Sequence, residues 1–90
     1  MIIYNYKRKG EKKMMNVFTE VDQFILKQIP NEYAWIARNE NEELWVFEKK
    51  PRKGGDYYLA DYGTAFVRLI PFEHIFKGVT FEAGPVQFRK

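Results

Sequence analysis

Few side chains in this 90-residue chain can do covalent chemistry. There is no serine and no cysteine, so their nucleophiles and any disulfide framework are excluded. The one histidine, His74, stands in the run PFEHIF. A lone imidazole beside Phe72, Ile75 and Phe76 reads as a packed, hydrogen-bonded side chain rather than a base or ligand. Neither a zinc-type cluster nor a carboxylate run with calcium-loop spacing occurs. Gly54-Gly55 lacks the strand–loop–helix context of a phosphate loop. Glu42 with Glu43, and Asp56 with Asp61, are the carboxylates that could pair as acid and base. All four fall in expected turns or strand ends, where solvated carboxylates are ordinary. The chain therefore reads as non-enzymatic, with no catalytic residue, cofactor or metal site expected.

Binding chemistry is better represented. Lys49, Lys50, Arg52 and Lys53 form a basic cluster flanked by Trp45, Phe47, Tyr57 and Tyr58. Cations beside rings can follow a phosphate backbone and stack bases. Aromatics and arginine also dominate the energetics of protein interfaces. The plainer alternative is a solvated loop whose charges deter edge-to-edge strand pairing. Further on, Gly63-Thr64-Ala65-Phe66-Val67-Arg68 partly resembles the main signature of the RNA-recognition motif. Glycine, the small residue, one aromatic and valine match; Tyr62, Thr64 and Leu69 stand where a base and two aromatics belong.

The elements that must position these groups are short. Tyr33–Arg38 and Leu44–Lys49 alternate as two strands of a hairpin, each with apolar residues on both faces. One face is expected on the core, the other under the helix, the C-terminal segment or a partner. The insert Asn39–Glu43 has turn residues but no glycine, which predicts a longer hairpin loop. Before the hairpin, Val17, Val21, Phe24, Ile25 and Ile29 are spaced as a helix over residues 16–29. Thr19 is its expected N-cap, Glu20 and Asp22 suit its first turn, and Pro30 stops it. That apolar stripe is expected on the sheet, a partner-binding groove helix being the sharper alternative.

After the hairpin, residues 49–55 read as a loop. Asp56–Ala60 and Ala65–Ile70 read as two strands joined by the turn Asp61-Tyr62-Gly63-Thr64. Pro71–Phe76 suits one helical turn, Val79–Phe81 a short strand, and Val86–Phe88 an edge strand. The expected fold class is α+β: one short N-terminal helix packed on a small antiparallel sheet of about four to five strands.

Residues 1–13 differ from the rest. They carry a net charge of +4, so the remaining 77 residues sum to −1 and the basic balance belongs to the leader. Three readings stand: a functional basic arm, a solvated arm, or a start-site extension before Met14. Lys9-Gly10-Glu11 can be encoded by a purine-rich ribosome-binding sequence about eight nucleotides before the Met14 codon. Residues 14–90 are expected to form a single domain. No apolar run approaches a membrane span, so no membrane partner is expected.

From about Pro30 onward the chain resembles small accessory proteins encoded by phages and prophages of Gram-positive bacteria. The resemblance rests on Trp35-Ile36-Ala37-Arg38, the polar loop, Leu44 with Phe47, Lys50-Pro51, Phe76, Phe81-Glu82 and Pro85-Val86. The usual turn glycine after Asn39 is missing, and Phe81 and Ala83 replace tryptophan and aspartate. The resemblance carries no functional residue. It implies a cytoplasmic setting in a bacterial host and a protein that binds a host protein, for example a defence or replication enzyme that it inhibits. Trp45, Phe47, Lys49, Lys50, Arg52, Lys53, Tyr57 and Tyr58 are the expected contact residues. The alternatives are a nucleic-acid-binding module using the same patch, and a small structural homodimer formed through an edge strand.

Overall fold

Helix α1 (Glu20–Gln28) begins where the local chemistry places it. The Thr19 hydroxyl accepts from the Asp22 N–H, and the Asp22 carboxylate accepts from the Thr19 N–H, both at 3.0 Å. This reciprocal capping box satisfies two of the four donors a helix start leaves unpaired. The computed structural model describes residues 17–90; the leader at 1–13 lies outside the described residues. Val17, Ile25 and Ile29 of the expected stripe pack against the core, but the helix is turned so that the rest of the stripe does not. Leu26 and Asp22 face inward, whereas Val21 and Phe24 are exposed, at 59% and 66%. Asp22 takes an inward position because its second oxygen also accepts the Phe76 N–H.

The central element is β1 (Trp35–Arg38), paired antiparallel with β2 (Leu44–Phe47). Trp35 stands opposite Phe47, Ile36 opposite Val46, and Ala37 opposite Trp45. The loop closes with Asn39 N–H donating to the Glu43 carbonyl and Glu42 N–H to the Asn39 carbonyl. Strand β5 (Phe66–Arg68) flanks β2, and β6 (Val86–Gln87) flanks β1, giving the order β5–β2–β1–β6. The fold is thus the expected α+β arrangement: among the described residues, one α-helix and a four-stranded antiparallel sheet, with a second, two-stranded sheet beside it.

That second sheet corrects the reading of residues 49–70. Arg52–Gly54 is a strand, β3, and it pairs with β4 (Tyr57–Leu59). The turn between them is Gly55-Asp56, with Gly55 at φ 69°, a left-handed geometry that glycine adopts without steric cost. The Asp61–Thr64 turn therefore links two sheets instead of forming a hairpin. Val79–Phe81 is not a strand, although Val79 is fully buried. Pro71 does start a helical turn, as a short 3₁₀ segment at Ile70–Phe72. His74 is exposed, not packed as its neighbours suggested, because the chain turns there and presents Ile75 and Phe76 inward.

Both faces of the hairpin are used. Ile36, Leu44 and Val46 join Leu26, Leu69, Phe76 and Val79 in the main core, beneath α1 and the C-terminal segment. On the other face Ala37 and Phe47 pack with Tyr58 of β4, edged by Trp35, Trp45, Ala60 and Phe81. Each fully buried Ile, Val or Leu contributes about 1.5–3 kcal/mol relative to exposure.

Polar side chains tie the layers together. Arg38, on the main-core face of β1, is buried, and its five N–H groups reach the carbonyls of Val79, Glu42, Glu73, Ile75 and Phe76 at 2.8–3.1 Å. Asn39 accepts the Tyr58 N–H at 2.7 Å, fastening β4 to the end of β1. Arg89 donates to the carbonyls of Leu26, Ile29, Pro30 and Tyr33, closing the C-terminal end of α1.

Candidate functional site

The β3–β4 ribbon covers only part of the second sheet face. Its Tyr58, with Ala60 just beyond β4, packs on Ala37 and Phe47, leaving the side toward β5 open. There Trp45 and Phe66 remain, their ring centroids 5.7 Å apart and their planes inclined by 38°. The chain from Tyr57 to Thr64 forms the facing wall. The result is a groove of about 620 Å³ with Trp45, Phe47 and Phe66 as its floor and Tyr57, Leu59 and Tyr62 along its wall. Phe66 is 53% exposed, Tyr57 47%, and Tyr62 fully exposed.

Polar groups border the rings. The Trp45 indole N–H donates to Glu43 Oε1 at 3.2 Å, and Asn39 Nδ2 donates to the same oxygen at 3.3 Å. The Trp45 hydrogen bond, with those from Asn39 and the charge of Arg68, holds the Glu43 carboxyl below its ordinary value; partial desolvation opposes this. Arg52 Nε meets Asp61 Oδ1 at 3.2 Å on the rim, an exposed pair worth little in stability. Trp45 is thus oriented by a carboxylate, and the carboxylates lining the groove outnumber its cations, Glu43 and Asp61 against Arg52.

Of the eight expected contact residues, Trp45, Phe47, Arg52, Tyr57 and Tyr58 line the groove, and Lys49, Lys50 and Lys53 do not. Phe47 and Tyr58 are buried, at 2% and 9% exposure, and line the groove from beneath: Phe47 shares the Trp45 face of β2 but lies under Tyr58. Lys50 Nζ lies 5.6 Å from the Trp35 ring and Lys53 Nζ 4.6 Å from the Phe81 ring, beside residues that do not line the groove. Lys49 is exposed. Trp45, Arg52 and Tyr57 are the expected residues that line the groove and reach solvent. Tyr62, Phe66 and Asp61 complete it without having been singled out as contacts. An aromatic inside a glycine turn, Tyr62-Gly63, was the available signal for the first.

The four carboxylates considered as acid–base pairs have other engagements. Glu43 is held by Trp45 and Asn39, and Asp61 by Arg52. Asp56 lies beside Glu40, whose carboxyl is raised by a hydrogen bond to Asp56 and by its charge. Glu42 is 81% exposed and 3.9 Å from Arg38. Among the described residues no three His, Asp or Glu side chains converge as a metal site, and no helix is long and apolar enough to cross a membrane.

A second cleft, about 730 Å³, runs between α1 and the C-terminal segment past Phe18, Leu26, Val86 and Phe88. It abuts the boundary of the described residues at Val17, and it offers fewer exposed rings. No protein-family model, curated protein or solved structure matches the chain.

Proposed function

We propose that this protein is a non-enzymatic binding module that takes a partner protein in the aromatic groove. In the phage setting implied by the sequence resemblance, the partner is a host protein, and occupancy would redirect or inhibit it. The reading rests on one observation: the ribbon leaves part of an aromatic sheet face uncovered, with Phe66, Tyr57 and Tyr62 exposed around Trp45. Large rings held in a concave, preformed surface contribute most of the binding energy in protein interfaces. A rigid sheet also limits the ordering cost of association.

Nucleic acid is the second reading, and it is the weaker one. A phosphate backbone in the groove would meet Glu43 and Asp61, while Lys50 and Lys53 lie beside Trp35 and Phe81. Affinity capture from a bacterial lysate, with wild type beside Tyr57→Ala and Tyr62→Ala, tests the first reading. One host protein retained by wild type and weakened about 30-fold by either variant is the expected result. Capture unaffected by both variants overturns the groove as the contact surface. Salt-sensitive binding of single-stranded DNA or RNA, lost on changing Lys49, Lys50, Arg52 and Lys53 to glutamine, would favour the second reading.

A further inference from the structure

We propose that two copies of this chain associate through β5, joining their four-stranded sheets edge to edge. Among the described residues, β5 is an edge strand of the sheet, paired on one side alone, with β2. On its inner side the Leu69 N–H donates to the Leu44 carbonyl at 2.8 Å, and the Ala65 carbonyl accepts from Glu48 at 2.9 Å. Backbone direction alternates along an antiparallel strand, so Phe66 and Arg68 turn their N–H and C=O groups outward. The side chains around this edge are apolar and open, with Phe66, Val67 and Ile70 at 53%, 41% and 62% exposure. An exposed edge with apolar side chains is a template for another strand.

The second copy is the occupant because the edge complements itself. A two-fold axis through Val67 sets Val67 opposite its counterpart and Phe66 opposite the Arg68 of the second copy, twice. The four outward backbone groups of each copy then find partners. Each guanidinium meets an exposed ring, an attractive pairing. The two arginines do not meet as bare charges, since each is held by Glu73 at 2.6 Å and Glu43 at 3.4 Å of its own chain. With the axis perpendicular to the sheet, the two aromatic grooves open on the same side. Phe66 borders both groove and seam, so the two are told apart by residues that belong to one alone, Tyr62 for the groove and Val67 for the seam.

Sedimentation or light scattering of the full chain across concentration is the first measurement, with a dimer dissociation constant at or below about 100 μM expected. Val67→Lys and Val67→Glu each place like charges on the axis and should weaken the dimer at least ~10-fold. An equimolar mixture of the two variants should restore it, which holds only if residue 67 meets itself. Amide exchange of wild type gives a reading without any variant: the Phe66 and Arg68 amides should gain protection with concentration, while Val67 is protected throughout. A wild-type monomer at several hundred micromolar, dimerisation unaffected by Val67→Lys, or a mixture that stays monomeric overturns the proposal. Tyr62→Ala should leave the mass unchanged, so a failure of groove binding and a failure of self-association are read separately.

Discussion

Arg38 holds the carbonyl of Phe76 at 3.1 Å, and Phe76 is a buried residue with a positive φ of 60°. Its N–H is held from the other side by Asp22 at 3.3 Å. A bulky side chain in the left-handed region is costly, and it persists only where the surroundings over-determine it. Here a buried arginine and a buried aspartate do so, and Arg38 fixes the neighbouring carbonyls of Glu73, Ile75 and Val79 as well. Arg38→Met should therefore cost about 3–5 kcal/mol, because up to five carbonyls lose a donor in a mostly buried region. Arg38→Lys should recover only part of this, since an ammonium has three donors and no planar fork. Glu42→Gln should change little, as that carboxylate is 81% exposed. Urea unfolding distinguishes these outcomes; a loss below ~1 kcal/mol for Arg38→Met would remove Arg38 as the organiser of the 73–79 segment.

Arg89 plays a parallel part at the end of α1. Its Nη2 donates to Leu26 and Ile29, and its Nη1 to Pro30 and Tyr33. The last carbonyls of a helix lack intrahelical partners, and a cation there also suits the helix dipole. Arg89→Ala should destabilise the domain by about 1–3 kcal/mol. Amide exchange should accelerate first in the last turn of α1, and unchanged exchange there would argue against the cap.

The strong local signals were legible in the sequence. Thr19 before an acidic first turn marks an N-cap, and the alternation in WIAR and LWVF marks two strands in any context. The rotation of α1 was not, because Val21 and Phe24 fit an apolar period as well as Leu26 does. The tertiary partner of Asp22, the Phe76 N–H some 54 positions away, draws Asp22 inward beside Leu26. The pairing of β4 was ambiguous for a similar reason. Gly55-Asp56 and Asp61–Thr64 both read as turns, and the sequence does not say which one closes a ladder. The groove followed from that choice: once β4 pairs with β3, Tyr58 covers Ala37 and Phe47, and Trp45 with Phe66 lines the open groove. Arg38 and Arg89 were invisible as clamps, since their ligands are backbone carbonyls distant in sequence.

Glu42 occupies the left-handed region at φ 77°, a geometry that glycine adopts without steric cost. Its carbonyl still accepts from Arg38 at 3.0 Å. Glu42→Gly should relieve the strain and raise stability by about 1 kcal/mol, losing only a weak, exposed ion pair. Glu42→Ala removes the same ion pair but keeps the strain, so it should be neutral or slightly destabilising. Thermal melts of the two variants side by side measure the difference. Equal melting temperatures would show that residue 42 is not strained.

The acid limb of stability should belong to Glu73 and Glu43. Glu73 is held below its ordinary value first by its hydrogen bond from Arg68, with the Leu44 N–H and nearby positive charge adding to this. For Glu43 the first cause is the Trp45 indole N–H. A carboxyl whose value is lowered by folding contributes stability that is complete above its unfolded value of 4.5 and lost as pH falls through the folded one. Glu40 has the opposite sign. Hydrogen bonding to Asp56, reinforced by the charge of Asp56, raises it, so folding favours its protonated form and stability falls as pH rises from 4.5 through the folded value. Unfolding measured across the acid range should thus weaken below pH 4.5 in wild type, with a shallower decline in Glu73→Gln. Glu40→Gln should be more stable than wild type near neutral pH and converge with it in acid, where Glu40 is protonated and uncharged. A Glu40→Gln curve parallel to wild type at every pH would mean that the carboxyl does not feel Asp56.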